Sequence, residues 1–356
     1  MALVSLEIGN FRCIEHAEIA FDPRCTVIVG ENAAGKTSIL EAIHVLSSGR
    51  SFRTPRNELL VRDNRDAEFL LVARVISNGQ RHTAGLKWSR TGRELRLNSA
   101  KCRGFAEVAA TLPVQVIDPG THRLLEDGPA QRRRFVDWGV FHVEHAFMET
   151  WRSFQTALAQ RNAALKTQPD PTLIQTWDPE LARTGEVIAA LRDRYIQNLG
   201  PTVAEFSEAL LGVPVTLTVD RGWDRGEGLA DVLAASLTRD VRLKNTSTGP
   251  HRADLQVGIN GIPARDRISR GQQKLLACSL VLAQLQHRVA SGMDPATLLL
   301  DDPAAELDVN NLGKLMQLVA KIPAQLVVTA VNENSVKTIS TGKMFHVEQG
   351  RVTEVL

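Results

Sequence analysis

The chain of 356 residues is poor in aromatic side chains, 5% in all with a single tyrosine. It has no strand that interleaves aromatic with basic residues, so modules that read RNA by stacking bases on a sheet are disfavoured. Its four cysteines, Cys13, Cys25, Cys102 and Cys278, are scattered without a CxxC pair. That argues against a zinc site and fits four reduced thiols. No apolar run reaches the roughly 18 residues a membrane span needs. The opening MALVSLEIGNFRCIEH has no basic segment ahead of a long apolar core. The expectation is a cytoplasmic protein with no membrane partner. An excess of one charge is also missing, since 42 Lys+Arg against 40 Asp+Glu leave +2. This excludes a basic tail and leaves a basic face open, because nucleic-acid binding depends on where the charge sits. Internal repeats and low-complexity segments are absent too.

What is present reads as a soluble globular chain, 43% hydrophobic and 23% charged, long enough for two domains or for one large α/β domain with an insertion. LVSLEIGNF, AEIAF and CTVIVG, then EFLLVARVIS, HTAGLKW and RELRLN, have strand character and predict a curved sheet of hairpins. From Gly128 to Gly212 the pattern turns helical, broken by prolines in KTQPDPT at 166–172. The expected organisation is a head made of residues 1–127 and 213–356, with a helical insertion at 128–212. Beyond it come the strand VPVTLTVDRGW, a short helix at 229–237, and DLQVGINGIPARD with a hairpin turn at Asn260-Gly261. The strand ATLLLDD, a helix at about 312–321, the strand QLVVTA and a closing hairpin in KMFHVEQGRVTEV complete the chain.

Gly30-x4-Gly35-Lys36-Thr37 follows one predicted strand and precedes one predicted helix, the context a phosphate-binding loop requires. Residues Gly30, Glu31, Asn32, Ala33, Ala34, Gly35, Lys36, Thr37 and Ser38 are the candidate cradle. The glycines let backbone N–H groups turn inward, and the helix N-terminus adds partial positive charge. Lys36 reaches the β and γ phosphates, and the Thr37 hydroxyl ligates Mg²⁺. A carboxylate at the end of a buried strand is the second requirement. TLLLDD provides Asp301 for the Mg²⁺ shell and Asp302 to polarise the attacking water. Lys36 and Asp301 lie 265 positions apart, so the sheet is assembled from both ends of the chain.

Ahead of the acidic strand stands SRGQQKLLACSL, where Ser269 and Gly271 open a predicted helix. Such a start exposes free N–H groups and a hydroxyl suited to a γ-phosphate; the local alternative is a helix capped by Ser269. Split ends of this kind resemble the ATP-binding cassette class. VSLEIGNFRCIE, GENAAGKTSILEAI, GPAQRRRFVDWGVFH, ALAQRNAALK, TGPHRADL, SRGQQKLL and LLLLDDPAAELD together resemble the RecF family of bacterial replication-gap repair proteins over nearly the whole chain. The resemblance implies an α/β fold, an ATP-binding-cassette-like ATPase head with a compact helical insertion and no long coiled coil. It also implies that two chains clamp two ATP molecules, with Ser269, Arg270, Gly271 and Gln272 contributing in trans and Asp308 along the seam. Gln115 stands where that class has a glutamine that ligates Mg²⁺ and senses the γ-phosphate. Two departures stand out. Asp302 occupies the place of a longer glutamate, which implies slow hydrolysis. The histidine often found after the next strand is absent, and QLVVTAVNENS offers Thr329 and Asn332 in its stead.

RSFRTPRNELLVRDNR carries Arg50, Arg53, Arg56, Arg62 and Arg65 among few carboxylates, a cluster suited to the phosphate backbone of DNA. Of Arg132, Arg133 and Arg134 on one helix, at least one is expected to pair with carboxylates inside the fold, while Trp138, Phe141, Phe147, Trp151 and Phe154 form a packing stripe. The functional expectation is an ATP-dependent DNA-binding protein of recombinational gap repair with weak DNA-stimulated ATPase activity. Its expected partners are duplex and gapped DNA, a second copy of itself, and proteins of the RecR and RecO families. A nucleotide-binding subunit of a transporter is the alternative. A chromosome clamp with a long coiled coil is excluded, because 128–212 is proline-broken and too short for one.

Overall fold

The computed structural model describes residues 1–62, 68–167, 170–305, 307–332 and 342–355. In chain order, β1 (Ala2–Phe11), β2 (Ile14–Ala20) and β3 (Cys25–Val29) lead into α1 (Lys36–Ser48). There follow β4 (Glu68–Ser77), β5 (Gln80–Ser89), β6 (Gly92–Leu97), β7 (Ala100–Lys101), α2 (Phe105–Thr111) and β8 (Val114–Ile117). A largely helical stretch holds α3 (Arg123–Glu126), α4 (Pro129–Val143), α5 (Phe147–Thr167), α6 (Pro171–Gln175) and the 34-residue α7 (Asp178–Leu211). After it come β9 (Thr216–Asp220), α8 (Leu229–Leu243), β10 (Asp254–Ile259) and β11 (Ile262–Pro263). The chain closes with α9 (Arg270–Ala290), β12 (Thr297–Asp301), α10 (Val309–Val319), β13 (Gln325–Ala330), β14 (Lys343–Glu348) and β15 (Arg351–Glu354).

Two compact units result, Met1–Thr121 with Lys274–Leu356, and His122–Gln273. The first holds two six-stranded sheets. One, β2-β1-β4-β5-β6-β7, is the expected sheet of hairpins. Its strand β4 alternates buried and exposed residues because only one face meets the core. CTVIVG, expected among those hairpins, joins the other sheet, of order β15-β14-β3-β13-β12-β8. There β3 and β12 are buried at every position. An uninterrupted apolar strand suits the middle of a parallel sheet covered on both faces. The core cluster joins β1, β2, β4 and β5 to α1, with Ile39, Leu40 and Ile43 fully buried.

The second unit corrects the expected boundary. It begins at His122 and runs to Gln273, well past Gly212. The reason is pairing. β9 pairs with β10 in a three-stranded sheet, and β9 and α8 both pack on α7, so the strands after the helices stay with the helices. Of the proline-rich break, residues 168 and 169 lie outside the described residues. Inside the unit Arg161 is fully buried between Asp178 and Asp240, both at 2.7 Å. Arg192 grips Asp137 through two bonds of 2.8 and 3.0 Å. A buried guanidinium needs such partners, because an unpaired buried charge is costly. Arg132 does the expected pairing, with Asp254 at 2.7 Å, while Arg133 donates to the Ala253 carbonyl and Arg134 is exposed. Phe147, Trp151 and Phe154 stack in series as packing, with Phe147 and Phe154 in the core. Among the described residues no helix is long and apolar enough to cross a membrane.

Candidate nucleotide site

Strand β3 delivers the chain into a loop whose backbone admits few residue types. Gly30 has φ 156°, and a Cβ there would sit 2.2 Å from the Val347 carbonyl oxygen of β14. Gly35, at φ 119°, opens α1 as an N-cap with no side-chain bond and no acidic residue in the first turn. Apart from the Ser38 amide, which donates to the Gly35 carbonyl at 3.0 Å, the first amides of α1 are left for an external anion. Lys36 is buried and donates from Nζ to the carbonyls of Gly30 at 2.7 Å and Glu31 at 2.8 Å. Burial pushes its ammonium pKa down, and the charges of Asp302 and Asp301 pull it back up. Loop, helix start and both aspartates line one cavity of about 760 Å³.

The acidic side is built by neighbouring strands. β13 lies between β3 and β12, with Val328 level with Val27 and Leu300. Asp301, at the carboxyl end of β12, accepts from the Thr37 hydroxyl at 2.8 and 3.0 Å. Thr329 of β13 donates to the same carboxylate at 2.8 Å and accepts the Asp302 amide at 2.9 Å. Burial raises the pKa of Asp301, while the hydrogen bonds from Thr329 and Thr37 lower it. Asp302 has φ 44°, a left-handed turn immediately after the strand. The Thr37 hydroxyl and the Asp301 carboxylate are hard oxygen donors, which fits Mg²⁺. Among the described residues no group of three His, Cys, Asp or Glu is arranged to hold a metal. A cation that takes its other ligands from phosphates and water needs none.

The arginine loop is only partly a free surface. Arg53 lines the cavity and stands 3.4 Å from Glu41 of α1, which also binds Arg12 at 2.6 Å. Arg50 and Arg56 are exposed, Arg62 pairs with Glu15 at 3.1 Å, and Arg65 lies outside the described residues.

Residues 2–353 match the RecF/RecN/SMC N-terminal domain family. The DNA replication and repair protein RecF of Shewanella woodyi is 37% identical over 100% of this chain and 98% of its own length. The chain belongs to the RecF family. RecF of Pseudomonas paraeruginosa is 38% identical, covering 99% of this chain and 98% of the relative. A solved structure of the recombination mediator protein RecF with ATP, of the RecFOR pathway, superposes with a TM-score of 0.89 at 25% identity, over 100% of this chain and 98% of that one. The head architecture expected from the RecF resemblance is thus the one found, with no long coiled coil among the described residues.

Gln115 does not take the place that the cassette pattern implied. It lies opposite Leu298, three residues before Asp301 in the β8–β12 register, and donates to Gln284 at 2.7 Å. Three residues of strand are roughly 10 Å, so Gln115 is remote from the Thr37–Asp301 pair. The acidic residue near Asp301 on this side is Asp118, which follows the last β8–β12 pair, Ile117–Leu300; burial is the main cause that raises the Asp301 pKa, and the charge of Asp118 adds to it. The sequence pattern did not reveal Asp118, because register across a parallel pair is not written in either strand alone. Thr329, at 0% exposure, sits behind Asp301 as its hydrogen-bond donor and lies within β13 rather than after it.

SRGQQ begins α9 with a reciprocal cap. The Ser269 amide donates to Gln272 Oε1 at 2.9 Å, and the Gln272 amide donates to Ser269 Oγ at 3.4 Å. This S-x-x-Q arrangement accounts for Gln272, which a simple Ser269 cap leaves unexplained. It does not account for Gly271. A Cβ at that position would meet nothing within 4 Å, and all four residues from Ser269 to Gln272 are exposed. Asp308 likewise caps α10, accepting from the Asn311 amide at 3.0 Å; Glu306 lies outside the described residues.

Proposed function

We propose that this protein binds Mg-ATP in the cavity beneath α1 and, so loaded, pairs with a second copy of itself on duplex DNA. Slow hydrolysis then releases it, and in the cytoplasm it works in recombinational gap repair beside proteins of the RecO and RecR families. One observation carries the reading: the Thr37 hydroxyl meets the Asp301 carboxylate at 2.8 Å across 264 positions of chain. A loop and a strand from opposite ends of the sequence thereby form one magnesium and phosphate site.

In this reading residues 30–38 cradle the phosphates, with Glu31 and Asn32 on the exposed rim and Lys36 supplying the cation. Thr37 and Asp301 hold Mg²⁺, and Thr329 keeps Asp301 aimed. Asp302 orients the water, and its side chain, one methylene shorter than glutamate, gives a slow step. Ser269, Arg270, Gly271 and Gln272 act in trans. A glycine inside a helix costs about 1 kcal/mol relative to alanine, and the open space over Gly271 suits the close approach of a second chain. The names of the relatives, a DNA replication and repair protein and a recombination mediator described with ATP, support this assignment.

Sedimentation of the purified protein tests it. A monomer is expected without nucleotide and a dimer with Mg-ATP, stabilised further by duplex DNA. A single-copy particle at saturating Mg-ATP, with and without duplex, overturns the mechanism.

For DNA, the exposed Arg50 and Arg56 are the better candidates, since Arg53 is engaged in the cavity wall. Reversing both to glutamate is expected to weaken duplex binding at least tenfold. The slope of log affinity against log salt should become shallower by about two, because each lost phosphate contact removes about 0.9. Filter binding across a salt series with unchanged slope removes the loop from the interface.

A further inference from the structure

We propose that Glu41 is a positioning residue of the nucleotide cavity, holding the guanidiniums of Arg12 and Arg53 in its wall as a pair of cations for the polyphosphate. The inference rests on the ATP reading above. Glu41 lies on α1 five positions beyond Lys36 and is 0% exposed. Such a carboxylate is tolerated only when cations and donors surround it, and here they do. Arg12 donates from Nε at 2.8 Å and from Nη2 at 2.6 Å, in the two-pronged geometry that fixes a guanidinium plane. Arg53 approaches from the other side at 3.4 Å, and the Ser51 hydroxyl donates to the same carboxylate. Ser51 Oγ in turn accepts the amides of Arg53 at 2.9 Å and Thr54 at 3.0 Å, so Glu41 also sets the turn that presents Arg53.

Two arginines on one carboxylate leave a net positive charge, and both arginines line the cavity with Lys36 and Thr37. The two are not held alike. Arg12 is also tied by Nη1 to the Leu59 carbonyl at 2.9 Å, and its guanidinium is fixed. Arg53 has the longer contact and a side chain 47% exposed, so its charge is only partly satisfied by Glu41. A polyphosphate in the cavity would take up that remaining charge, whereas a neutral ligand would not.

Glu41→Gln separates positioning from simple charge, because the two predict opposite signs. If Glu41 acted only as a nearby anion, removing its charge would tighten Mg-ATP binding. If it holds the arginines, binding loosens, and about tenfold is expected from one weakened charged contact. The measurement is calorimetric titration of Mg-ATP into the full chain, wild type, E41Q, R53A and the double variant, with Lys36→Ala as control. R53A should also lose about tenfold, and the double variant should lose little more than either alone, since both remove one interaction. Additive losses, or an E41Q affinity equal to or tighter than wild type, overturn the proposal. Should E41Q fail to fold, Arg53→Ala alone decides: its side chain is half exposed, and affinity within twofold of wild type overturns the role. If Lys36→Ala binds Mg-ATP like wild type, the nucleotide reading itself fails. If only Lys36→Ala loses binding, Glu41 alone is misassigned.

Discussion

Replacing Lys36 with alanine is expected to lower Mg-ATP affinity by about a hundredfold or more and to abolish ATP-dependent dimerisation. The ammonium is buried beneath the loop it belongs to and donates to the Gly30 and Glu31 carbonyls at 2.7 and 2.8 Å. It is therefore stationed at the floor of the cavity before any ligand arrives. Two charge-assisted hydrogen bonds to phosphate oxygens, each worth roughly 1.5–3 kcal/mol, correspond to at least about two decades of affinity. Calorimetric titration reads the affinity and sedimentation the pairing. The fold should survive, because the loop is also held by the Ala34 carbonyl, which accepts the Gly350 amide at 2.8 Å. Binding within threefold of wild type by a folded variant would remove the cavity as the ATP site.

Ser269→Arg is expected to leave the affinity of the monomer for Mg-ATP unchanged and to prevent the ATP-bound dimer. The position is exposed, so an arginine fits the single chain, where the cost is the lost helix cap, about 1 kcal/mol. At a closed seam the same side chain brings bulk and an unpaired charge, at a cost of about 3 kcal/mol or more. Dimer affinity should then fall by about a hundredfold or more. Light scattering at saturating Mg-ATP compares the variant with wild type and with Ser269→Ala, which removes only the hydroxyl. A full dimer of the arginine variant would show that SRGQQ is a capped helix start and nothing further.

The features legible in the amino-acid sequence are those written locally. The loop shows itself through Gly30 and Gly35, whose positive φ values exclude most side chains, and through the strand before and helix after it. The acidic strand shows itself because TLLL is apolar on both faces, and only an interior parallel strand needs that. The reciprocal cap of α9 is also local, spelled by Ser269-x-x-Gln272, although Ser269 alone suggests only half of it. What misled was lateral. Gln115 stands where the cassette class has a magnesium-ligating glutamine, yet the β8–β12 register places it opposite Leu298, and Asp118 follows the last pair of that register. Arg53 reads as one of five surface cations until Glu41 is found buried next to it. The end of the helical unit was hidden for a similar reason, since β9 and β10 choose each other as partners and neither strand shows it alone.

Sequence by itself determined the type of the long helices and of the main strands, the phosphate loop, the acidic strand end and membership of the RecF family, because φ restrictions, burial patterns and motif spacing act over a few residues. Only the tertiary structure decided which side chains share the cavity: Thr37 with Asp301, Thr329 behind them, and Arg12 with Arg53 on Glu41. Those neighbours are set by strand order and by the pairing of buried charge across long stretches of chain, where the free energy depends on contacts that no single segment contains.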